Sequence, residues 1–197
     1  MKVFLILASY LIGAIPSGYL LVKLKTRKDI REVGSGSTGT TNVFRYQGWK
    51  LAIPVMLIDI SKGFFPAFFT DRWFQDKELT LLVVLAAVVG HCFPIYLKFK
   101  GGKGVATSAG GFLYLAPMPL LLSLLVMVII LFLFRYVSLA TLTGLLVFPL
   151  LVLIIQQNYN LFSLGLIIFF LVAWRHKDNI KRLLTGTERK FGEKLNG

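Results

Sequence analysis

One loop of this chain combines glycine, hydroxyl and basic residues in a pattern that suits phosphate binding. It runs from Gly34 to Arg45 and reads Gly-Ser-Gly-Ser-Thr-Gly-Thr-Thr-Asn-Val-Phe-Arg. Glycines let successive backbone N–H groups turn toward one anion, and the guanidinium of Arg45 offers a planar fork of donors that matches phosphate. A flexible polar linker that caps the next helix would have the same composition, so the loop alone leaves both interpretations open.

The first six residues of this loop also have the spacing G-x-G-x-x-G of dinucleotide-binding folds. That motif works between a strand and a helix of a βαβ unit. Here it follows a long apolar segment and a charged linker, so we exclude nucleotide binding of that kind.

A second loop surrounds Lys103 with glycines at Gly101, Gly102 and Gly104, just before a helix predicted to begin at Val105. A glycine-rich approach to a helix N-terminus is a ready anion site, although the spacing is not that of a Walker A loop. A tight membrane turn with snorkelling lysines is the structural alternative. Two such loops on one membrane face favour binding over the structural alternative for each.

A third polar region runs from Trp174 to Glu188. Its residues His176 and Asn179 are three apart, so on a helix they share a face. Taken alone, the region is more typical of a basic helix that touches anionic lipid.

Two charges, Asp59 and Lys62, lie three residues apart inside an apolar run. Buried membrane charges are usually paired or functional, and we predict a structural ion pair. With two histidines and one cysteine in the chain, no convincing metal site is expected, and no cofactor is predicted. The sequence has no G-x-S-x-G elbow, no H-E-x-x-H motif and no evident nucleophile–base pair.

The elements that carry these loops are predicted to be membrane helices. Hydrophobic residues make up 56% of the 197 residues, above the usual 45–50%. Residues 112–134 and 137–156 contain no charge, and about 20 apolar residues span a bilayer. Residues 3–22 are predicted to be a first span rather than a cleaved signal, because no small-residue cleavage site follows. The fold class is an all-α integral membrane protein with a single domain, residues 1–197.

Charge sets the predicted topology. Eighteen of the 22 Lys and Arg residues fall in four regions, which the positive-inside rule places in the cytoplasm: residues 23–50, 98–103, 135 and 175–194. The membrane explains the net charge of +13 without a nucleic-acid partner. The loop 71–78 suits the outside.

The chain must then cross an even number of times between Lys103 and Arg135. Because Pro117 and Pro119 break helices, we predict two short spans there, at 105–116 and 120–134. The total is seven spans, with the N-terminus outside, the C-terminus in the cytoplasm and the site on the cytoplasmic face.

The three polar regions together resemble the PlsY family of bacterial acyl-phosphate:glycerol-3-phosphate acyltransferases. The motif G-S-G-N-x-G-A-T-N is matched by residues 34–42, with Ser37 and Thr40 in place of Asn and Ala. The motif G-H-x-F-P-x-x-x-x-F-x-G-G-K-G-V-A-T is matched by residues 90–107, and R-H-x-x-N-I-x-R-L-x-x-G-x-E by residues 175–188.

The resemblance implies a reaction. A fatty acyl group passes from acyl phosphate to the 1-hydroxyl of sn-glycerol 3-phosphate, giving lysophosphatidic acid and phosphate, the first step of phospholipid biosynthesis. It also implies residence in the bacterial inner membrane, contact with membrane lipid and an upstream enzyme that produces acyl phosphate.

The resemblance and the loops together suggest roles for particular residues. Ser35, Arg45 and Lys103 are expected to bind glycerol 3-phosphate. His176 and Asn179, the predicted catalytic pair, would orient it. Residues expected on the acyl-phosphate side are Thr41, Asn42 and Gly102, and the remaining substrate-binding positions are Ser37 and Gly104. Glu188 is expected to hold the third region by pairing with a base.

The sequence leaves two questions open. The general base is either His176 or a phosphate of the substrate. A carrier or channel for phosphate-bearing anions would also use buried charges and basic loops, but the polar motifs crowd one membrane face rather than the midplane. A purely structural membrane subunit would leave the glycine-rich loops without a purpose.

Overall fold

The structure, a computed structural model, describes residues 1–193. Lys194, counted above with the basic C-terminal region, lies outside the described residues. Over this range the chain forms ten α-helices and two short 3-10 turns, at Ile30–Glu32 and Ile95–Leu97, and no strand. The helices are α1 Lys2–Ala14, α2 Ser17–Thr26, α3 Thr40–Gln47, α4 Trp49–Phe74, α5 Lys77–Cys92, α6 Val105–Leu115, α7 Pro117–Phe134, α8 Val137–Gln156, α9 Tyr159–Arg175 and α10 Lys177–Leu184. They form two compact units, residues 1–114 and residues 115–193.

Five helical segments are long and apolar enough to cross a membrane: Lys2–Thr26, Trp49–Phe74, Lys77–Leu97, Pro117–Phe134 and Val137–Gln156. A sixth is added if α9 and α10, which meet at a bend of 67°, count as one broken span. With 11 residues, α6 is about 16 Å long, shorter than the roughly 30 Å hydrocarbon core. The all-helical membrane class is therefore confirmed, whereas the count of seven spans stays a prediction.

In the first unit, α1 and α5 approach closely through glycines. A Cβ added to Gly13 would overlap the backbone of Ala87, and one added to Gly90 would overlap the carbonyl of Tyr10. The hydroxyl of Ser9 donates to the carbonyl of Val83 across the same interface, at 2.6 Å. Small residues and interhelical hydrogen bonds are the usual means of helix association in a bilayer, and they fix the position of α5 and of the loop that follows it.

The first apolar segment is broken at Ile15 and Pro16, between α1 and α2. A break inside a membrane leaves backbone groups without helical partners, which must be satisfied by other protein groups. Here the ammonium of Lys62 donates to the carbonyl of Ile15 at 2.5 Å. The Lys62 side chain of α4 thus stabilises the break between α1 and α2, and α2 leads into the first loop.

The predicted break between two helices is present, because α6 ends at Leu115 and α7 begins at Pro117. The second helix begins three residues earlier than predicted, so Pro119 lies within the first turn of α7. In the second unit, consecutive helices are joined by short turns, such as the two-residue turn at Arg135 and Tyr136 between α7 and α8. Helix α9 begins after Asn158, whose side chain accepts from the N–H of Leu161.

Candidate active site

The first glycine-rich loop rests on a small apolar core of the first unit. Val22 of α2, Ile30 of the 3-10 turn, Val43 of α3, and Ala52 and Val55 of α4 are all fully buried and packed together. The burial of these residues fixes both ends of the loop, so that residues 34–39 are held although their glycine backbone is intrinsically free.

Asn42 organises the loop from within. Its side chain is buried, and its carbonyl oxygen accepts from the backbone N–H of Ser35 at 3.0 Å. Its NH2 group lies within 3.2 Å of three backbone carbonyls, those of Ile30, Val33 and Ser37. Satisfied buried amides rigidify the segments they join. The role expected for Asn42, next to acyl phosphate, remains a prediction, and its observed contacts are with the loop backbone.

The other predicted residues of this loop lie at or near its surface. Ser35 is exposed, and the Ser37 hydroxyl accepts from the N–H of Gly39 at 3.2 Å. Thr41 and Arg45 are half-buried and four residues apart on α3, so they share a face. The α3 face that carries Thr41 also carries the guanidinium predicted to bind phosphate.

The second loop doubles back on the end of α5. After the 3-10 turn at Ile95–Leu97, the N–H of Phe99 donates to the carbonyl of Pro94 at 2.9 Å, and the N–H of Gly102 donates to the carbonyl of His91 at 3.1 Å. Helix α6 then begins at Val105, and the hydroxyl of Ser108 bonds to the carbonyl of Gly104 at 2.7 Å. Lys103 is half-buried just before this helix start, and its role in an anion site stays a prediction.

Three glycines of this loop are required by its geometry. Gly104 has a φ of +87°, in the region that L side chains rarely adopt. A Cβ at Gly101 would overlap the carbonyl of His91, and one at Gly102 would overlap the imidazole of the same residue. The loop is therefore a tightly packed turn with one defined conformation.

The charges inside α4 form the predicted ion pair. The Lys62 ammonium lies 2.6 Å from Oδ1 of Asp59, and both side chains are buried. The hydroxyl of Ser17 donates to the same carboxylate oxygen at 2.5 Å. Nδ1 of His91 lies 3.6 Å from it. The sequence did not indicate that Ser17 and His91 belong to this cluster, although His91 lies in the motif matched by residues 90–107.

The third polar region gathers its side chains around Glu188, in the second unit. Oε1 of Glu188 accepts from Asn179 at 2.6 Å and from the hydroxyl of Ser138 at 2.8 Å. Its Oε2 accepts from Nε of Arg182 at 2.7 Å. The predicted pairing of Glu188 with a base is present, and it ties the segment after α10 to α8 and α10.

These contacts govern the ionisation of Glu188. Burial of the carboxyl group opposes ionisation, but the hydrogen bonds from Asn179, Arg182 and Ser138 together outweigh it and hold the pKa of Glu188 below its ordinary value. Glu188 is therefore a carboxylate at neutral pH, which is the state that accepts three donors.

His176 lies at the bend between α9 and α10 and is buried. Its Nδ1 is 2.8 Å from the carbonyl of Val172. Since a carbonyl only accepts, the ring proton is assigned to Nδ1. In the neutral ring Nε2 then keeps its lone pair, as a general base or a hydrogen-bond acceptor requires. His176 is also near in sequence to Asn179, and both belong to the second unit.

The predicted site residues thus form two groups. Those of the first and second loops lie in the first unit, and His176, Asn179 and Glu188 lie in the second. Among residues 1–193, no cluster of three or more His, Cys, Asp or Glu side chains could hold a metal ion.

The fold and the two groups define an all-helical integral membrane protein that carries glycine-rich, basic loops suited to phosphate. The family model "Glycerol-3-phosphate acyltransferase" matches residues 3–186. The chain belongs to the glycerol-3-phosphate acyltransferase family.

Individual relatives agree over almost the full length. The glycerol-3-phosphate acyltransferase of Staphylococcus haemolyticus is 44% identical over 200 aligned residues, which cover 97% of this chain and 98% of the relative. The crystal structure of PlsY (YgiH), an integral membrane glycerol 3-phosphate acyltransferase, in its glycerol 3-phosphate form matches with a TM-score of 0.92 at 40% identity, covering 97% of this chain and 96% of the other. Its lysophosphatidic acid form matches with a TM-score of 0.90 at 38% identity, covering 98% and 96%.

Proposed function

We propose that this protein is a glycerol-3-phosphate acyltransferase that takes its acyl group from acyl phosphate and produces lysophosphatidic acid. The observation that carries the proposal is the match over 97% of the chain to a solved glycerol 3-phosphate acyltransferase in its glycerol 3-phosphate form. The family match over residues 3–186 contains the first two polar motifs and the third as far as Gly186, and the structure gives each motif a defined conformation.

For this reaction the main task of the protein is to position the two substrates. The 1-hydroxyl oxygen of glycerol 3-phosphate attacks the acyl carbon of the mixed anhydride. An ester C–O bond forms, the bond from the acyl carbon to the phosphate oxygen breaks, and phosphate leaves with the bonding electrons. The hydroxyl proton passes to a base. Because phosphate is a good leaving group, binding both substrates in line and stabilising the developing negative charge supply most of the acceleration.

Both substrates carry phosphate, and the first unit offers two loops for phosphate. We assign Ser35, Arg45 and Lys103 to glycerol 3-phosphate, and Thr41, Asn42 and Gly102 to the acyl-phosphate side. The supporting observations are the half-buried positions of Arg45 on α3 and of Lys103 just before α6. Ser37 and Gly104 support the conformation of these loops through the contact to Gly39 and the positive φ.

His176 and Asn179 are assigned to orientation of the acceptor. The proton on Nδ1 of His176 leaves Nε2 able to accept a hydrogen bond or a proton. The base is either this nitrogen or an oxygen of a substrate phosphate. Asn179 donates to Glu188, so its orientation depends on that carboxylate.

The protein is placed in the bacterial inner membrane with seven spans, the N-terminus outside and the basic loops in the cytoplasm. The five to six apolar helices support a membrane location, and the position of 18 of 22 basic residues in four regions supports the proposed orientation and the count of seven spans. A soluble acceptor and a membrane-bound donor would then meet at the membrane surface. An enzyme that makes acyl phosphate is the expected partner upstream, and no nucleic acid or cofactor is expected.

The test is product formation by purified protein in detergent. Acyl phosphate with glycerol 3-phosphate should give lysophosphatidic acid and inorganic phosphate in equal amounts, with full activity in the presence of a chelator. Acyl-CoA in place of acyl phosphate should give no product. Comparable turnover with acyl-CoA would refute the donor assignment. Absence of product, together with transport of glycerol 3-phosphate into vesicles, would instead support a carrier.

A further inference from the structure

A cluster of four buried polar side chains lies in the first unit and is not explained by the proposed site. Ser17 comes from α2, Asp59 and Lys62 from α4, and His91 from α5. Their exposed fractions are 4%, 1%, 3% and 7%, so none is solvated by bulk water. Buried polar groups of this kind are costly unless each is satisfied by a partner, and the partners therefore indicate what the cluster holds together.

The hydrogen bonds of the cluster converge on one carboxylate oxygen. The three protons of the Lys62 ammonium have three acceptors, the carbonyl of Ile15, the hydroxyl of Ser17 and Oδ1 of Asp59. Oδ1 also accepts from Ser17, while Oδ2 of Asp59 is buried and has no hydrogen-bond partner among the described residues. The carboxylate therefore has an acceptor to spare.

His91 is the neighbour that faces this carboxylate. Its Nδ1 lies 3.6 Å from Oδ1 of Asp59, which is longer than a hydrogen bond but turns one edge of the ring toward the negative charge. A carboxylate beside one ring nitrogen favours the proton on that nitrogen and fixes the orientation of the ring. The opposite edge of the ring, which carries Nε2, is thereby also fixed.

That opposite edge lies against Gly102. A Cβ placed on Gly102 would overlap Nε2 of His91. The N–H of Gly102 donates to the carbonyl of His91 at 3.1 Å. His91 therefore contacts Gly102 through both its ring and its backbone carbonyl, and Gly102 directly precedes Lys103.

We propose that His91 is a positioning residue of the acyltransferase site. Asp59 orients the imidazole of His91, and the imidazole holds Gly102 so that Lys103 and the start of α6 keep the geometry that acyl transfer needs. The proposal rests on the proposed function. Displacements of about 1 Å in a positioning element can reduce a rate by about 100-fold, so a ring that does not touch substrate can still control turnover.

The test is a double-mutant cycle between Gly102→Ala and His91→Asn. Asparagine keeps an amide donor near the position of Nδ1 but lacks the ring edge that meets Gly102. We expect Gly102→Ala alone and His91→Asn alone each to reduce kcat/KM for glycerol 3-phosphate strongly, because a ring that only filled space beside Gly102 could be replaced with near-normal turnover. In the His91→Asn protein, the fold-reduction in kcat/KM caused by Gly102→Ala should be smaller by a factor of at least about five, which is the scale of coupling found between contacting residues. Equal losses in both proteins would overturn the proposal.

Two further proteins make the result specific. His91→Phe keeps the ring edge and removes Nδ1, the atom that faces Asp59, so Gly102→Ala should remain fully damaging in it. If Gly102→Ala costs less activity in His91→Phe than in wild type, the role of the ring edge is overturned. This comparison also decides the proposal if His91→Asn fails to fold. Gly13→Ala, which overlaps the backbone of Ala87 and not His91, is the control and should show the same loss with and without His91→Asn.

The wild-type protein in the same assay separates this inference from the proposed function. Wild type that makes no lysophosphatidic acid contradicts the function itself. An active wild type with additive losses at Gly102 and His91 contradicts only the positioning role.

Discussion

Arg45 and Lys103 offer an anion different kinds of contact. The guanidinium of Arg45 is a planar fork that can give two parallel hydrogen bonds, whereas the ammonium of Lys103 is a compact charge on a flexible stem. Arg45 projects from a helix set on a buried apolar core, and Lys103 follows a glycine turn packed against His91. The two residues are therefore expected to respond differently to substitution.

Arg45→Lys should be poorly tolerated although it preserves charge, and Lys103→Ala should be damaging through lost charge. A charge-assisted hydrogen bond contributes about 1.5–3 kcal/mol, so each change should reduce kcat/KM for glycerol 3-phosphate by roughly 10- to 150-fold. Steady-state kinetics with each substrate varied in turn measures this. KM for acyl phosphate should change less.

The matched control is Lys100→Ala, because Lys100 is an exposed lysine of the same loop. It should leave both KM values within about twofold, the scale of a surface charge. Near-normal kinetics for Arg45→Lys and Lys103→Ala would show that these residues do not bind the acceptor.

Glu188 should make stability depend on pH. Its pKa is lowered in the folded protein, so its contribution is complete above the ordinary value of 4.5 and is lost as pH falls through the lower, folded pKa. At neutral pH, Glu188→Gln should decrease the free energy of unfolding by about 1.5–3 kcal/mol. Thermal unfolding in detergent from pH 7 to pH 3 measures both effects.

Below pH 4.5 the difference in Tm between wild type and Glu188→Gln should shrink. Glu193→Gln, at an exposed position, is the control and should unfold like wild type throughout. A constant difference across the whole pH range would contradict a role for the charge of Glu188.

The sequence predicted some contacts of single residues and not others. The ion pair between Asp59 and Lys62 was predicted, because two charges three positions apart on a helix lie on the same face. Ser17 and His91 come from other helices, so their place in the same cluster depends on how α2 and α5 pack against α4, which no local spacing encodes.

At the scale of elements, the prolines show why span boundaries were only partly predictable. Pro117 separates two helices as predicted, whereas Pro54, Pro66 and Pro149 lie inside helices. Proline is tolerated inside membrane helices when neighbouring groups satisfy the freed carbonyl. Residues 3–22 were predicted as one span, and the structure breaks the helix at Pro16. At this break the Ile15 carbonyl accepts from the nearby backbone N–H of Ser17 and from Lys62, which lies 47 positions away in sequence.

Helix packing in the first unit should depend on Gly63. A Cβ at this position of α4 would overlap the backbone carbonyl of Thr107 in α6, and backbone cannot move aside as a side chain can. Gly63→Ala should therefore decrease Tm by several degrees, since overpacking typically costs about 1–3 kcal/mol. Thermal unfolding of the purified variant measures the effect.

Gly144→Ala is the matched helical control from the second unit. Its Cβ would meet Cβ of Met127 and the carbonyl of Ser123 at 3.1 Å, a tight contact that small shifts can relieve. A smaller change in Tm is expected, about a third of that for Gly63→Ala or less. Equal changes in the two variants would show that close backbone approach does not decide the packing.

For the whole molecule, the distribution of charge predicts which loops face the cytoplasm. Cysteines at Lys28, Lys100 and Thr187, all exposed, should react with a membrane-impermeant maleimide only after the inner membrane is opened. Cysteines at Glu78 and Asn160, also exposed, should react in intact spheroplasts. Native Cys92 is buried and should be replaced by Ala as the background. Labelling of Lys28, Lys100 or Thr187 positions from outside would contradict the seven-span topology.

The membrane class was predictable because it follows from local composition, whereas the assignment of the polar loops to the substrates stays a prediction. Helix α8 has the bounds expected from the uncharged run 137–156. The division into two compact units was not predicted, because it depends on which helices contact each other, and uniformly apolar surfaces carry little information about partners.

The spacing of Asp59 and Lys62 also bears on how the protein enters the membrane during synthesis. A lone Asp or Lys at the centre of a nascent helix costs about 2.5–3.5 kcal/mol on insertion scales. Because these two charges sit one turn apart on α4 and pair directly, the helix carries its own counter-ion and can leave the translocon before Ser17 or His91 is in place. Replacing Asp59 by Leu should therefore impair insertion of an isolated α4 segment more than replacing both charges, as glycosylation mapping would reveal.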